Sequence, residues 1–95
     1  MVKAVENRAV VDGELKSVRR DPARPGHLEA EVLVRHAAEV AGFPNLVGRS
    51  QGQTVRVIVP ESSGLARAAP GPVRFEASLE APGLLVARSA GNPPD

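Results

Sequence analysis

The chain has 95 residues, no cysteine and a formal net charge of +1. That length suits one domain that buries about two-thirds of its unfolded surface. The lack of Cys excludes a disulfide framework, thiol catalysis and thiolate metal centres. The near-neutral charge excludes a strong long-range pull on nucleic acid or anionic lipid.

Hydrophobic residues make up 42% of the chain but aromatic residues only 2%, namely Phe43 and Phe75. The core must therefore come from Val, Leu, Ala and Ile. Ten of the twelve cations are Arg, the exceptions being Lys3 and Lys16. Abundant Ala, Val, Gly and Pro beside them point to a GC-rich coding bias. The opening MVKAVENRAVV carries Lys3, Glu6 and Arg8, so no signal-peptide block is expected there. No apolar run approaches the ~20 residues of a membrane span. A cytoplasmic protein with no membrane association is expected.

Residues 1–8 read either as a short lead-in or as the start of the first strand. From Ala9 to Arg20, Val11, Gly13 and Leu15 share one face, and Asp12, Glu14 and Lys16 the other. Val18 falls out of phase, which a β-bulge near Lys16–Ser17 repairs. Gly13 inside a strand predicts a bend or a close approach of another backbone. The segment DPARPG, Asp21 to Gly26, is a turn with two φ-fixing prolines and a glycine. Arg19, Arg20 and Arg24 make its surroundings the densest basic stretch.

Residues 27–41, HLEAEVLVRHAAEVA, carry two competing signals. Good helix formers, the Glu31–Arg35 spacing and a Gly42/Pro44 stop favour a helix. Against that, the even positions from Leu28 to Val40 are apolar except His36, and the odd ones include Glu29, Glu31, Arg35 and Glu39. The period of two holds throughout and a long second strand is expected, bent near His36–Ala38. The loop GFPNLVGRSQG follows, with Phe43, Leu46 and Val47 expected to fold over an open barrel end. The clearest strand is QTVRVIVP, residues 53–60. Val55, Val57 and Val59 face one way, and Thr54, Arg56 and Ile58 the other. The connection ESSGLARAAPGP allows one helical turn anchored by Leu65. Strands over 73–79 and 84–88 form a closing hairpin about Pro82-Gly83. Residues 1–88 are thus expected as one domain, with 89–95, SAGNPPD, as a disordered tail.

Five strands, the first long, bulged and interrupted by Gly13, with GQTVRVIVP followed by PGPVRFEASLEAPGLLVAR, resemble an OB-fold at the level of fold. The expected class is all-β, a five-stranded Greek-key barrel with one short helical turn between strands three and four. An SH3-like barrel or a split β-sandwich remains open as an alternative. The resemblance implies ligand binding on the face of strands two and three, by oligonucleotides or oligosaccharides in such barrels.

Two function classes follow. The first is a non-enzymatic binding or assembly module making protein contacts, including self-association, through outward apolar residues Leu33 and Ile58 and through Phe43. The second is weak binding of single-stranded DNA or RNA through Arg19, Arg20, Arg24, Arg35, Arg56 and Arg74. Against the second, the face has no aromatic platform, and Glu29 and Glu31 repel phosphate. Cross-strand ion pairing of these arginines is the plainer reading. His27, Glu29 and Glu31 share a strand face, but their spacing matches no metal motif. No nucleophile elbow, phosphate loop or dinucleotide fingerprint is present. No catalytic residue, cofactor or metal is expected. A small-ligand site at the barrel mouth near Phe43 is a third, remoter reading.

Overall fold

A computed structural model describes residues 6–88. Five strands, β1 (Ala9–Arg20), β2 (His27–Glu39), β3 (Thr54–Pro60), β4 (Gly71–Ala81) and β5 (Leu84–Ala87), close into a barrel of order β1-β2-β3-β5-β4. All neighbours are antiparallel except β3 and β5. This all-β, closed five-stranded architecture is consistent with the fold-level resemblance to an OB-fold. The expected tail, 89–95, and the first five residues lie outside the described residues.

The period-two valines account for the wall. Val11 and Leu15 on β1, Val32 and Val34 on β2, Val57 and Val59 on β3, and Leu85 on β5 are all buried and form one cluster. Phe75, 2% exposed, is the only aromatic ring in that cluster. Residues 27–39 form a strand, and the helical reading of that segment fails. Its helix-forming side chains were outweighed by an apolar row that has a barrel interior to fill.

Two one-residue bulges adjust the phase. Between Asp12 and Gly13 the β1–β2 register shifts so that Asp12 faces His36 while Gly13 faces Val34, leaving Arg35 extra on β2. Between Leu15 and Ser17 it shifts back, leaving Lys16 extra on β1. The expected Lys16–Ser17 bulge is therefore present. The bulge at Arg35 corrects the inward row of β2. His36 is exposed, Ala38 is half-buried and Ala37 is buried instead. The extra residue flips every later side chain to the opposite face.

Gly13 lies at the shift because nothing larger fits. A Cβ there would collide with the Leu33 carbonyl oxygen and lie 2.9 Å from Val32 Cγ1. The predicted close backbone approach is thus between β1 and β2.

Each barrel end is closed by one 3-10 turn, since the loops before and after β3 lie at its opposite ends. Val47–Ser50 plugs one with Val47, 0% exposed, and Gly64–Arg67 plugs the other with Leu65, 1% exposed. The second turn is the one expected from Leu65, and its N-cap Ser63 Oγ accepts from Leu65 N at 3.2 Å. In the first, Asn45 Oδ1 accepts from Gly48 N at 3.0 Å. Phe43 contributes less than expected. It is half-buried and lies under the Arg8 guanidinium, 5.0 Å from ring centroid to Cζ.

Side-chain amides extend the ladders. Asn7, 2% exposed, lies opposite Leu79 in continuation of the β1–β4 register. Its Oδ1 accepts from Leu79 N at 2.8 Å and its Nδ2 donates to Leu79 O at 3.1 Å.

Two substitutions test these contacts by urea denaturation. Gly13→Ala is expected to cost roughly 1–3 kcal/mol through overpacking against backbone. An unchanged midpoint would contradict the close approach. Asn7→Ala strands two main-chain groups of Leu79 and is expected to cost about 1–3 kcal/mol, whereas a loss near zero would show that the amide is dispensable.

Candidate binding surface at the arginine cleft

The β1–β2–β3 register decides which outer side chains meet. Arg19 pairs with Glu29, and Glu29 with Ile58, across three neighbouring strands. Glu31 and Arg56 are opposite one another in the adjacent row. Glu29 thereby lies between two guanidiniums. Its Oε2 accepts from Arg19 at 2.8 Å and its Oε1 from Arg56 at 3.4 Å, while Glu29 itself is only 13% exposed. The carboxylate raises the pKa of Arg19, chiefly by hydrogen bonding.

The hairpin turn brings two more cations. Asp21, 8% exposed, accepts from Ala23 N at 2.9 Å, a side-chain turn of the kind Asp favours. Its other oxygen takes Arg24 Nη1 at 3.0 Å. The Ala23 amide first, and Arg24 after it, hold the Asp21 carboxyl below its usual range. Arg20 Nη1 reaches Glu61 at 2.9 Å, and Glu61 N donates to Gly26 O at 3.0 Å, tying the β3–β4 connection to the hairpin. Arg19, Arg20, Arg24 and Arg56, with Asp21 and Glu29, line an open cleft of about 500 Å³.

Four of the six sequence-nominated arginines therefore share one cleft. Arg35 and Arg74 do not. They flank the outer face of β1, Arg35 at 2.8 Å from Glu14 and Arg74 at 2.6 Å from Asp12. Arg35 and Lys16 hold the Glu14 carboxyl below its usual range. All six nominated arginines are in ion pairs, as the plainer reading expects.

The apolar nominations fare differently. Ile58 points away from the interior, yet it is 6% exposed rather than open. Glu29 on β2 and Val86 on β5 flank it in register, and a short branched side chain between close neighbours has little surface left. Leu33 is half-buried and lines a separate cavity of about 330 Å³ with Arg35 and Gly52. Phe43 lies beyond the far end of β2, under Arg8. The three do not make one apolar patch, because their positions are spread along the length of the sheet.

His27 Nδ1 lies 3.2 Å from Pro25 O. Among the described residues no group of three or more His, Asp or Glu is gathered as a metal ion would need. Nor is any helix among them long and apolar enough to cross a membrane. No protein-family model, curated protein or solved structure matches this chain.

The lowered pKa values fix the direction of the pH dependence. Glu14 and Asp21 bind protons less readily folded than unfolded, so their contribution is complete above their ordinary values, about 4, and is lost as pH falls through the lowered ones. Urea midpoints are expected to drop on acidification below about pH 4. Asp21→Asn, which keeps the acceptor for Ala23 N, is expected to flatten that acid limb. An acid limb as steep as wild type would contradict the assignment.

Proposed function

We propose that this chain is a non-enzymatic binding or assembly module whose partner is a protein, engaged through the arginine cleft of the β1–β2 hairpin and β3. One observation carries this reading: the cleft cations are matched by anions. Arg19, Arg20, Arg24 and Arg56 are paired with Glu29, Glu61 and Asp21, and Glu31 stands opposite Arg56. Four cations and four anions leave no local surplus for a phosphate backbone to draw on.

Pairing does not use up the guanidiniums. Each has five N–H donors, and Arg19 and Arg20 remain 68% and 77% exposed. A surface rich in oriented donors suits a protein partner that brings carboxylate and carbonyl acceptors, and Arg is enriched at such interfaces. The contact surface proposed here is the cleft rather than a patch of Leu33, Ile58 and Phe43.

Weak single-stranded DNA or RNA binding is the second reading. It is favoured by the gathering of four arginines in one cleft, and opposed by the lack of a stacking ring there.

Two measurements separate them. Fluorescence anisotropy with a labelled oligonucleotide is expected to show no binding at low salt. Binding that is lost with salt and with Arg56→Ala would establish the nucleic-acid reading instead. Affinity capture from an extract of the cells that make the protein is expected to retain a partner that Arg19→Glu/Arg56→Glu releases. Capture unaltered by that double substitution would refute the cleft as the contact surface.

A further inference from the structure

Several stretches of strand outrun a neighbour in this barrel, among them Gly71–Phe75 of β4 and Val59–Pro60 of β3 beside the short β5, and two others are capped by side chains. Where β2 continues past Leu33–Thr54, the last β2–β3 pair, Ala37 N donates to Gln51 Oε1 at 3.0 Å and Ala37 O accepts from Asn45 Nδ2 at 2.9 Å. Where β4 continues past Ala77–Ala9, Asn7 holds both main-chain groups of Leu79. Amide side chains thus stand in for missing strands.

The end of β1 differs from the two capped stretches. The β1–β4 ladder stops at Leu15–Gly71, while β1 runs on to Arg20 paired only with β2. Among the described residues, no loop backbone and no side chain takes the place of β4 along Lys16–Arg20. Lys16, Ser17, Arg19 and Arg20 are exposed and Val18 is half-buried. An unpaired edge of this kind is a template for another strand.

Charge selects the occupant. Lys16, Arg19 and Arg20 put three cations in five residues with no acid among them. Two copies paired edge to edge would set these cations against one another, which disfavours self-association there. An extended segment with acidic side chains meets the opposite situation. The resident partners of Lys16, Arg19 and Arg20 are Glu14, Glu29 and Glu61; the exposed pairs Lys16–Glu14 and Arg20–Glu61 exchange at little cost, and Arg19, though Glu29 is mostly buried, keeps a guanidinium 68% exposed.

We infer that Lys16–Arg20 is a docking edge at which an extended acidic segment of a partner protein adds as a further strand beside β1. Main-chain hydrogen bonds supply the attachment, and Lys16, Arg19 and Arg20 select for carboxylates. The inference rests on the protein-contact reading above and gives that contact its geometry.

The probe is a fluorescein-labelled heptapeptide of alternating Glu and Val, added to the intact ¹⁵N-labelled protein. Saturable binding is expected, with slowed amide exchange confined to Lys16–Arg20. A peptide N-methylated at its two central amides, which face opposite edges, is expected to bind roughly tenfold more weakly or worse, having lost one donor and gained a blocking methyl on whichever edge meets β1. Equal binding by the methylated peptide would overturn strand addition, as would failure to bind at all. Concentration-dependent protection of the same amides without peptide would overturn it in favour of a second copy. Perturbation of the Arg19 and Arg56 side chains without protection of Lys16–Arg20 would overturn it too, while leaving the cleft reading intact.

Discussion

The barrel depends on one close passage of two backbones. β1 crosses β2 at Gly13 with the Leu33 carbonyl in the space a Cβ would need. Strands that tilt and coil enough to close a small barrel must come together somewhere, and a glycine with flanking bulges lets them do so. The two bulges lie on opposite strands, at Arg35 and Lys16, so the register lost at the first is recovered at the second. Between them Gly13 and Leu15 lie beside Val34 and Val32 on the neighbouring strand. Beyond them the ladder runs in step to Arg20–Leu28, and this alignment sets Arg19 beside Glu29.

The outer surface follows from that alignment. Glu29 receives a guanidinium from each side because β1 and β3 both pair with β2 in the register the bulges set. Farther along β1, Glu14 takes Arg35 from β2 and Asp12 takes Arg74 from β4. Such pairs contribute little to stability individually. Their consequence is electrostatic: a chain with ten arginines presents oriented donors without a broad positive field.

Strand identity was legible where inward and outward residues differ sharply in polarity. β1 was read with its observed ends, and β3 and β5 to within a residue. The bulge at Lys16 showed because Val18 visibly breaks phase. The bulge at Arg35 left only a weak trace, because Ala37 and Ala38 are alike and either could face inward. β4 is longer than its apolar alternation, from Gly71 to Ala81, since its ends are held by ladder partners rather than by burial. At the candidate site, the sequence named the arginines but not their grouping, which depends on a register the sequence does not display. Ile58 looked exposed because alternation reports which face a side chain is on, not what its neighbours cover. The amide caps from Asn7, Asn45 and Gln51 had no sequence signal beyond residue type, because each bridges to a strand fixed only in the folded chain.

Register is therefore the quantity to measure. Cross-strand interproton contacts in NMR spectra of the intact chain report it directly along β1 and β2. The present account predicts Asp12 opposite His36, Gly13 opposite Val34 with Arg35 passed over, and Ser17 opposite Glu31 with Lys16 passed over. An unbroken ladder that sets Gly13 opposite Arg35 would contradict it, and would move Arg19 out of line with Glu29.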